Sequence, residues 1–223
     1  MGSLLDDYIH GTPDLLDNYA SSPAGVMKHD IPPRSWDPDL ASDLTAYQTH
    51  LGAPKAVDHN AGVYITGQQP GIFTGPLYTI YKAITTLQLA DRNTAETGEA
   101  LVPMYWVGGD DHDFDEISRV QLLTKQHKAF PLRLEAERGQ PDVSIFRLPA
   151  RSDLHGLVDE AAAQAPGSEF AVDIATFLHQ SIDESDNLSE WHARIMARLF
   201  RDTPLIIFTP ELAAARRAAM PIF

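Results

Sequence analysis

The sequence has 223 residues, a mass of 24.6 kDa and no cysteine, and its 31 acidic and 17 basic side chains give a formal charge of −14. This length is enough for one large domain or two small ones with a buried core. The absence of cysteine from the chain excludes a disulfide, a thiolate nucleophile and a cysteine-ligated zinc. The acidic balance argues against nucleic acid and an anionic membrane surface as partners, and no stretch approaches the ~20 apolar residues of a membrane span. We therefore expect a cytoplasmic protein.

Residues 1–60 are predicted to form an irregular N-terminal arm, because six prolines interrupt them. One helix is expected within the arm, over residues 37–51. Asp37 can cap its start, and Pro38 suits the first turn, where its missing N–H would have had no partner.

A change of character at residue 61 marks the start of the predicted core. Residues 62–66 are apolar and rich in β-branched and aromatic side chains, which predicts a buried strand. A glycine loop, residues 67–75, follows this strand, and apolar residues at helical spacing then predict a helix over 76–90. After a polar gap at 91–99, residues 101–107 form a second predicted strand, parallel to the first.

The rest of the core is predicted to be a connecting segment, about 118–200, and a return to the sheet. Its elements are short strands at 117–124, 129–135 and 143–148 with a turn at 139–141, two or three helices within 151–200, a strand at 204–209 and a helix at 210–220. Strands that alternate with helices indicate an α/β protein with a mainly parallel sheet. We therefore divide the chain into the arm, residues 1–60, and a core, residues 61–223.

Residues 108–116 are the densest chemical feature, and we call them the acidic segment because five of the seven residues 110–116 are acidic. Ligands bind at the carboxyl ends of parallel strands, so this segment and the glycine loop are expected to face one crevice. Crowded carboxylates raise one another's pKa, which predicts that a cation, a substrate amine or a shared proton stabilises the segment. His112 is expected to be biased toward imidazolium, and the other histidines are treated as ordinary surface or core residues.

Known motifs exclude several kinds of site. Counted from Asp111, the acidic segment lacks the glycine and glutamate of an EF-hand, and without cysteine or a His-Glu-x-x-His helix it is not a zinc site. A Mg²⁺ ion bound by Asp111 or Asp113 remains an open alternative. The glycine loop matches neither common phosphate-binding fingerprint, yet backbone N–H groups at Thr74 and Gly75 and the next helix start could bind an anion. The alternative for the acidic segment is a solvated turn between strands, and for the glycine loop it is a turn whose glycines only permit positive φ angles.

Two motifs of the chain resemble those of a known family. The first is Gly67-Gln-Gln-Pro-Gly-Ile-Phe-Thr-Gly-Pro-Leu-Tyr-Thr-Ile-Tyr-Lys82, and the second is Pro103-Met-Tyr-Trp-Val-Gly-Gly-Asp-Asp-His-Asp-Phe-Asp-Glu-Ile117. In order and spacing they are similar to the bacillithiol biosynthesis cysteine-adding enzymes (BshC), with mild departures at Gly108 and Asp110. The resemblance covers essentially the whole chain.

This resemblance implies a Rossmann-like core with an inserted connecting segment, similar to the cores of class I aminoacyl-tRNA synthetases and nucleotidyltransferases. It implies a ligase that adds cysteine to the amino group of glucosaminyl-malate in an ATP-assisted reaction. The expected cofactors are ATP/ADP as the bound nucleotide and Mg²⁺ as an optional metal, without zinc, haem or flavin. It also implies a homodimer formed through a coiled coil. That coiled coil and the later half of the family's sequence lie outside these 223 residues, so we expect an incomplete core.

The resemblance also assigns site residues by position. Those of the anion-binding wall are Gln68, Gln69, Thr74, Gly75, Tyr78 and Lys82. Those of the opposite, amine-facing wall are Asp111, His112, Asp113, Asp115 and Glu116. The further binding residues are Gly67, Gly71, Trp106 and Asp110. The expected roles are the amine or Mg²⁺ for Asp111 and Asp113, acid–base work or phosphate contact for His112, and the anion for Lys82.

Two other functions stay open from the sequence. One is a nucleotidyltransferase-like enzyme of the same architecture that acts on another amino acid or amino sugar. The other is an inactive, truncated binding module.

Overall fold

The computed structural model describes residues 4–10, 36–136 and 142–222, which form eight α-helices and five strands. The helices are α1 Leu4–His10, α2 Pro38–His50, α3 Tyr78–Thr97, α4 Phe114–Ile117, α5 Asp153–Gln164, α6 Ala171–Asp183, α7 Leu188–Leu199 and α8 Ala213–Ala219. The strands are β1 Gly62–Gln68, β2 Leu101–Val107, β3 Arg119–Leu123, β4 Ala129–Arg133 and β5 Ile206–Phe208. None of the helices within these ranges is long and apolar enough to cross a membrane.

The central sheet is parallel and has the strand order β1-β2-β5. β2 lies in the middle and alternates its side chains between two apolar clusters, as the period of a strand requires. Tyr105 and Val107 pack with α7 residues such as Met196 on one face, while Met104 packs with Leu44 of α2 on the other. Helices therefore cover β2 on both faces, and the predicted α/β class with a parallel sheet is confirmed.

α2 belongs to this core although it lies within the predicted arm. The Asp37 side chain accepts a hydrogen bond from Asp39 N at 2.9 Å, so the predicted cap is confirmed. The buried Gln48 amide donates to Ile207 O at 2.8 Å and accepts from Ile207 N at 2.9 Å. Because these bonds occupy the free backbone edge of β5, α2 closes this edge of the sheet within the described residues.

The connecting segment forms a third apolar cluster beside the sheet. β3 and β4 make an antiparallel hairpin, and α5, α6 and α7 pack around Ile145, Leu154 and Trp191. Three helices thus lie within the range where two or three are expected. The hairpin and these helices build the wall that faces the glycine loop.

Several predicted elements are wrong in kind or length. Residues 143–148 are not a strand, because Ile145 N and Phe146 N donate to Asp111 O and Gly109 O of the acidic segment, at 2.8 and 3.1 Å, and Ile145–Arg147 form a 3₁₀ turn. The helix predicted over 76–90 runs through the polar gap to Thr97 and ends at Gly98, whose φ is +76°. α1 is an additional helix in the arm. The predicted turn at 139–141 lies outside the described residues.

Candidate functional site

The glycine loop and the acidic segment begin at the carboxyl ends of adjacent strands, as expected. β1 ends at Gln68 and β2 at Val107, residues that are paired in register, and Gly108 N donates to Gln68 O at 2.9 Å. A Cβ atom on Gly67 would lie 2.8 Å from Trp106 O, so only glycine lets the strands come this close. The prediction that the two segments face one crevice is confirmed.

The glycine loop has an unusual backbone. Phe73 and Thr74 have φ angles of 51° and 74°, and Gly75 follows at 69°. A non-glycine residue in such a conformation costs about 1–3 kcal/mol, so surrounding contacts must hold the loop in place. The Phe73 ring packs edge-on against buried Trp191 at 5.5 Å, and a Cβ atom on Gly71 would lie 2.9 Å from Gly75 Cα. Side-chain packing and the close approach of two glycines therefore fix its shape.

His192 anchors this loop from below, a role that the sequence analysis missed. Its Nδ1 lies 3.0 Å from Gly71 O and its Nε2 lies 3.0 Å from the Tyr105 hydroxyl oxygen. Since a carbonyl only accepts, Nδ1 carries the proton and Nε2 accepts from the hydroxyl. Burial lowers the pKa of His192 to about 4 and outweighs the opposing effect of its hydrogen bond to Gly71. The imidazole is therefore a neutral, buried support.

A chain of polar side chains joins the two walls of the site. Lys82 Nζ donates to Gln68 Oε1 at 2.8 Å, and Gln68 Nε2 donates to Gln69 Oε1 at 2.6 Å and to the Tyr78 hydroxyl at 2.9 Å. Gln69 Nε2 then donates to Asp111 Oδ2 at 3.1 Å and to Glu116 Oε2 at 3.0 Å. The two glutamines thus connect a cation on one wall to two carboxylates on the other.

Asp111 behaves differently from the sequence expectation. Its Oδ1 accepts from His112 N at 2.7 Å and from Asp113 N at 3.1 Å, and its Oδ2 accepts from Gln69. These bonds, with the Asp113 N–H as the largest influence, lower the pKa of Asp111 against the opposing effect of burial. The prediction that crowding raises the pKa is therefore wrong for this carboxylate, because hydrogen bonds stabilise its charged form.

The rest of the acidic segment spreads in several directions. Asp113 accepts from Glu116 N at 3.0 Å and caps α4, Asp115 pairs with Arg133 at 3.3 Å, and Asp110 pairs with Arg216 at 3.0 Å. The exposed His112 ring has its Nδ1 3.7 Å from Asp111 Oδ1. Of the five acids, only Asp111 and Glu116 meet at the same partner, Gln69.

A cleft of about 490 Å³ lies between the glycine loop and the β3–β4 hairpin. The predicted site residues that line it are Gln68, Gln69, Gly71, Gly75, Tyr78 and Glu116. Lys82 and Asp111 adjoin the cleft through the polar network, whereas His112 and Asp113 contact Asp111 through their backbone N–H groups. Thr74 is a buried residue of the loop itself, and the half-exposed Trp106 ring packs against Phe208 at 4.5 Å.

Three further polar groups around the site were not predicted from the sequence. Arg119 and Gln121 line the cleft from β3, and Arg119 makes no ion pair with any residue in the described ranges. Glu211 lies behind the acidic segment, where burial raises its pKa and Ser189 Oγ donates to it at 3.1 Å. The tertiary fold brings these groups to the site from distant parts of the chain, so no spacing rule could find them.

The residues of the site suit a nucleotide phosphate better than a Mg²⁺ ion. Gly75 N donates to Ile72 O at 2.8 Å and is not available to an anion. α3 begins without a side-chain cap, and within its first turn Thr79 N and Ile80 N donate to Pro76 O and Leu77 O. That helix start and Lys82 suit a phosphate or a carboxylate. No three His, Asp or Glu side chains in the described parts of the chain are arranged to hold one metal ion, and Asp111 and Asp113 already accept N–H bonds. The described residues therefore offer no preformed three-ligand site, whereas Mg²⁺ commonly binds through one or two carboxylates together with substrate phosphates.

Comparison with known proteins gives one consistent family. Residues 4–223 match the model of the bacillithiol biosynthesis BshC N-terminal Rossmann-like domain. A protein of Salinibacter ruber named "Putative cysteine ligase BshC" is 35% identical over 166 residues, which are 74% of this chain and 30% of that protein. Proteins with the same name from Symbiobacterium thermophilum and Bacillus cytotoxicus are 32% and 29% identical, over 82% and 92% of the chain and 36% and 40% of their own lengths. The chain thus spans well under half of these relatives.

Proposed function

The chain belongs to the family of bacillithiol biosynthesis BshC proteins as their N-terminal Rossmann-like domain, and from this premise we propose that it carries the substrate site of a cysteine ligase. The proposed reaction joins the carboxyl group of cysteine to the amino group of glucosaminyl-malate in an amide bond. Relatives named as cysteine ligases support the reaction class, while the bond and the substrates are part of the proposal.

The observation that carries the proposal is the position of Gln69. Its amide reaches Asp111 and Glu116 across the crevice, while Gln68 joins it to Lys82 on the other wall. The site therefore has a positive end and a negative end along one cleft. Substrates that carry both an amine and a carboxylate match this polarity, with the malate part toward Lys82 and the amine toward Asp111.

The lowered pKa of Asp111 suits a binding role better than a proton-accepting role. A carboxylate that stays ionised holds an ammonium group well, but it is a weak base. His112 lies beside it, with Nδ1 3.7 Å from Asp111 Oδ1, and takes the amine proton in this proposal. A carboxyl oxygen of cysteine would first bond to a phosphorus atom of ATP and displace the rest of the nucleotide. The amine nitrogen then attacks the carboxyl carbon and forms the C–N bond, while the C–O bond breaks and its oxygen leaves with the transferred phosphate-containing group.

The protein's share of catalysis in this scheme is positioning and charge stabilisation. ATP activates the carboxyl group, and the uncapped start of α3 together with Lys82 receives negative charge. No step of this scheme uses a protein-bound Mg²⁺. A cytoplasmic location and a homodimer of the longer protein complete the proposal.

The test is amide formation from cysteine, ATP and glucosaminyl-malate, measured by mass spectrometry of the product. We suggest a chimaera in which this chain replaces the matching part of the Salinibacter ruber relative, assayed beside that relative. We expect Asp111→Ala and His112→Ala to lower the rate at least about tenfold, in line with the usual effect of general acid–base groups. Asp202→Ala, at an exposed acid far from the site, is the matched control. Activity within a few-fold of the parent for both site variants would refute the assigned roles.

A further inference from the structure

Arg119 is a charged residue of the cleft that the proposed reaction does not use. It is the first residue of β3, and the exposed face of this strand includes Arg119 and Gln121, both of which line the cleft. The Arg119 guanidinium makes no ion pair and no hydrogen bond with the residues that the structure describes. Its N–H donors are therefore available to a ligand in the cleft.

The charges around Arg119 leave it without an acidic partner. Glu116, which also lines the cleft, accepts a hydrogen bond from Gln69 Nε2 at 3.0 Å. Arg133 lies directly opposite Arg119 in the register of the hairpin, and its guanidinium pairs with Asp115 at 3.3 Å. Side chains that are directly opposite in an antiparallel pair share a face, and like charges in this arrangement are destabilising. A negatively charged ligand beside Arg119 would relieve this repulsion.

We propose that Arg119 binds a carboxylate of the malate part of the substrate, an inference that rests on the substrate proposed above. The planar guanidinium donates two parallel N–H bonds to a carboxylate, a geometry that a lysine ammonium does not offer. Gln121 lies two residues further along the same strand face and adds an amide beside it. Arg119 thereby selects an acidic substrate over a neutral amino sugar.

Two cationic side chains match the two carboxylates of malate. Lys82, on the side of the glycine loop, donates to Gln68 Oε1 at 2.8 Å, and its Nζ lies 5.0 Å from the centre of the Tyr78 ring. In the proposed arrangement Lys82 receives one carboxylate and Arg119, from the hairpin, receives the other. The phosphates of ATP lie at the start of α3, so the affinity for ATP does not depend on Arg119.

The test is isothermal calorimetry of the chain with glucosaminyl-malate, without cysteine and ATP. We expect Arg119→Gln to weaken binding at least about tenfold, in line with the loss of a hydrogen bond between charged groups. Arg119→Lys keeps the charge but loses the paired N–H geometry, so an intermediate affinity is expected. The dimethyl ester of glucosaminyl-malate has no carboxylate, and Arg119→Gln is expected to change its affinity by less than about twofold. Arg201→Gln, at an exposed arginine paired with Asp202, is the matched control.

Two further measurements separate substrate binding from a structural role. The melting temperature of Arg119→Gln is expected to equal or exceed that of the parent, because the substitution removes a like-charged pair. In the chimaera with the Salinibacter ruber relative, Arg119→Gln is expected to raise KM for glucosaminyl-malate and to leave KM for ATP unchanged, with kcat within about twofold of the parent.

The binding assay decides the role of Arg119 independently of the reaction. No binding of glucosaminyl-malate to the parent, equal affinity of the parent and Arg119→Gln, or a tenfold weaker affinity for ATP instead would overturn the proposal. If the chimaera is inactive but Arg119→Gln still weakens the binding of glucosaminyl-malate, the ligase reaction is refuted and the role of Arg119 stands.

Discussion

His192 provides a test of how burial at the site controls stability. The imidazole supports the glycine loop through Gly71 O and is held neutral, with its pKa lowered to about 4 by burial. In the unfolded chain the same group has its ordinary pKa of about 6.5. Below that value the unfolded chain takes up a proton that the folded chain does not, so stability falls as the pH falls. The loss ends near the folded pKa, below which both states are protonated.

The size of this effect follows from the two pKa values. A difference of about 2.5 units at 1.36 kcal/mol per unit corresponds to about 3 kcal/mol over the whole window, and about 2 kcal/mol of it is lost between pH 7 and pH 5. Domains of this size are stable by about 5–15 kcal/mol, so the change is measurable. Asp111 and Glu190 have lowered pKa values, so their contribution to the free energy of unfolding is lost only below this pH window.

The assay is urea unfolding, followed by tryptophan fluorescence, at about pH 7 and about pH 5. His192→Gln retains an amide N–H and a carbonyl oxygen but cannot titrate, so its loss of stability between the two pH values is expected to be about 2 kcal/mol smaller than that of the parent. His59→Gln, at an exposed histidine, is the matched control and is expected to keep the parent's pH dependence. Equal pH dependence of His192→Gln and the parent would refute the reasoning, whatever the absolute stability of the variant.

Three further predictions concern backbone approach, helix capping and the polar network. Gly67→Ala is expected to lower the free energy of unfolding by about 1–3 kcal/mol, because its Cβ would overlap the neighbouring strand. The control is Gly156→Ala, whose Cβ would have no atom within 4 Å. In urea unfolding this control is expected to be neutral or stabilising. Asp37→Ala removes the α2 cap and is expected to cost about 1 kcal/mol in the same assay. Gln69→Leu removes one hydrogen bond to the Asp111 carboxylate, so the pKa of Asp111 is expected to rise toward its ordinary value in a ¹³C NMR titration. An unchanged titration would show that the hydrogen bond from the Gln69 amide does not stabilise the ionised form of Asp111.

Much of the architecture could be predicted because it depends on local pattern. Apolar runs ending in glycine define β1 and β2, and Asp37 followed by Pro38 defines the start of α2. The rule that ligand sites lie at the carboxyl ends of parallel strands placed both segments at one crevice. The errors arose where tertiary contacts override pattern, as at 143–148, whose N–H groups bind the acidic segment instead of a strand.

Side-chain pairs between residues that are distant in the chain could not be predicted from the sequence. Five acids in seven residues predicted one crowded cluster, yet Arg133 and Arg216 draw Asp115 and Asp110 apart. His155 of α5 and His179 of α6 had no identifiable partner in the sequence. Their partners, Asp183 and Asp159, each lie on the other helix, so the pairs form only when the two helices pack together.

The sequence by itself determined the family, the α/β class and the segments that form the site, because these depend on residue order and on local periodicity. Only the tertiary structure decided which carboxylate is stabilised, which histidine supports the loop and which two histidines meet. Hydrogen bonds and burial act between residues that are far apart in the chain, and a pKa depends on both. Those contacts exist only after the helices have packed on the sheet.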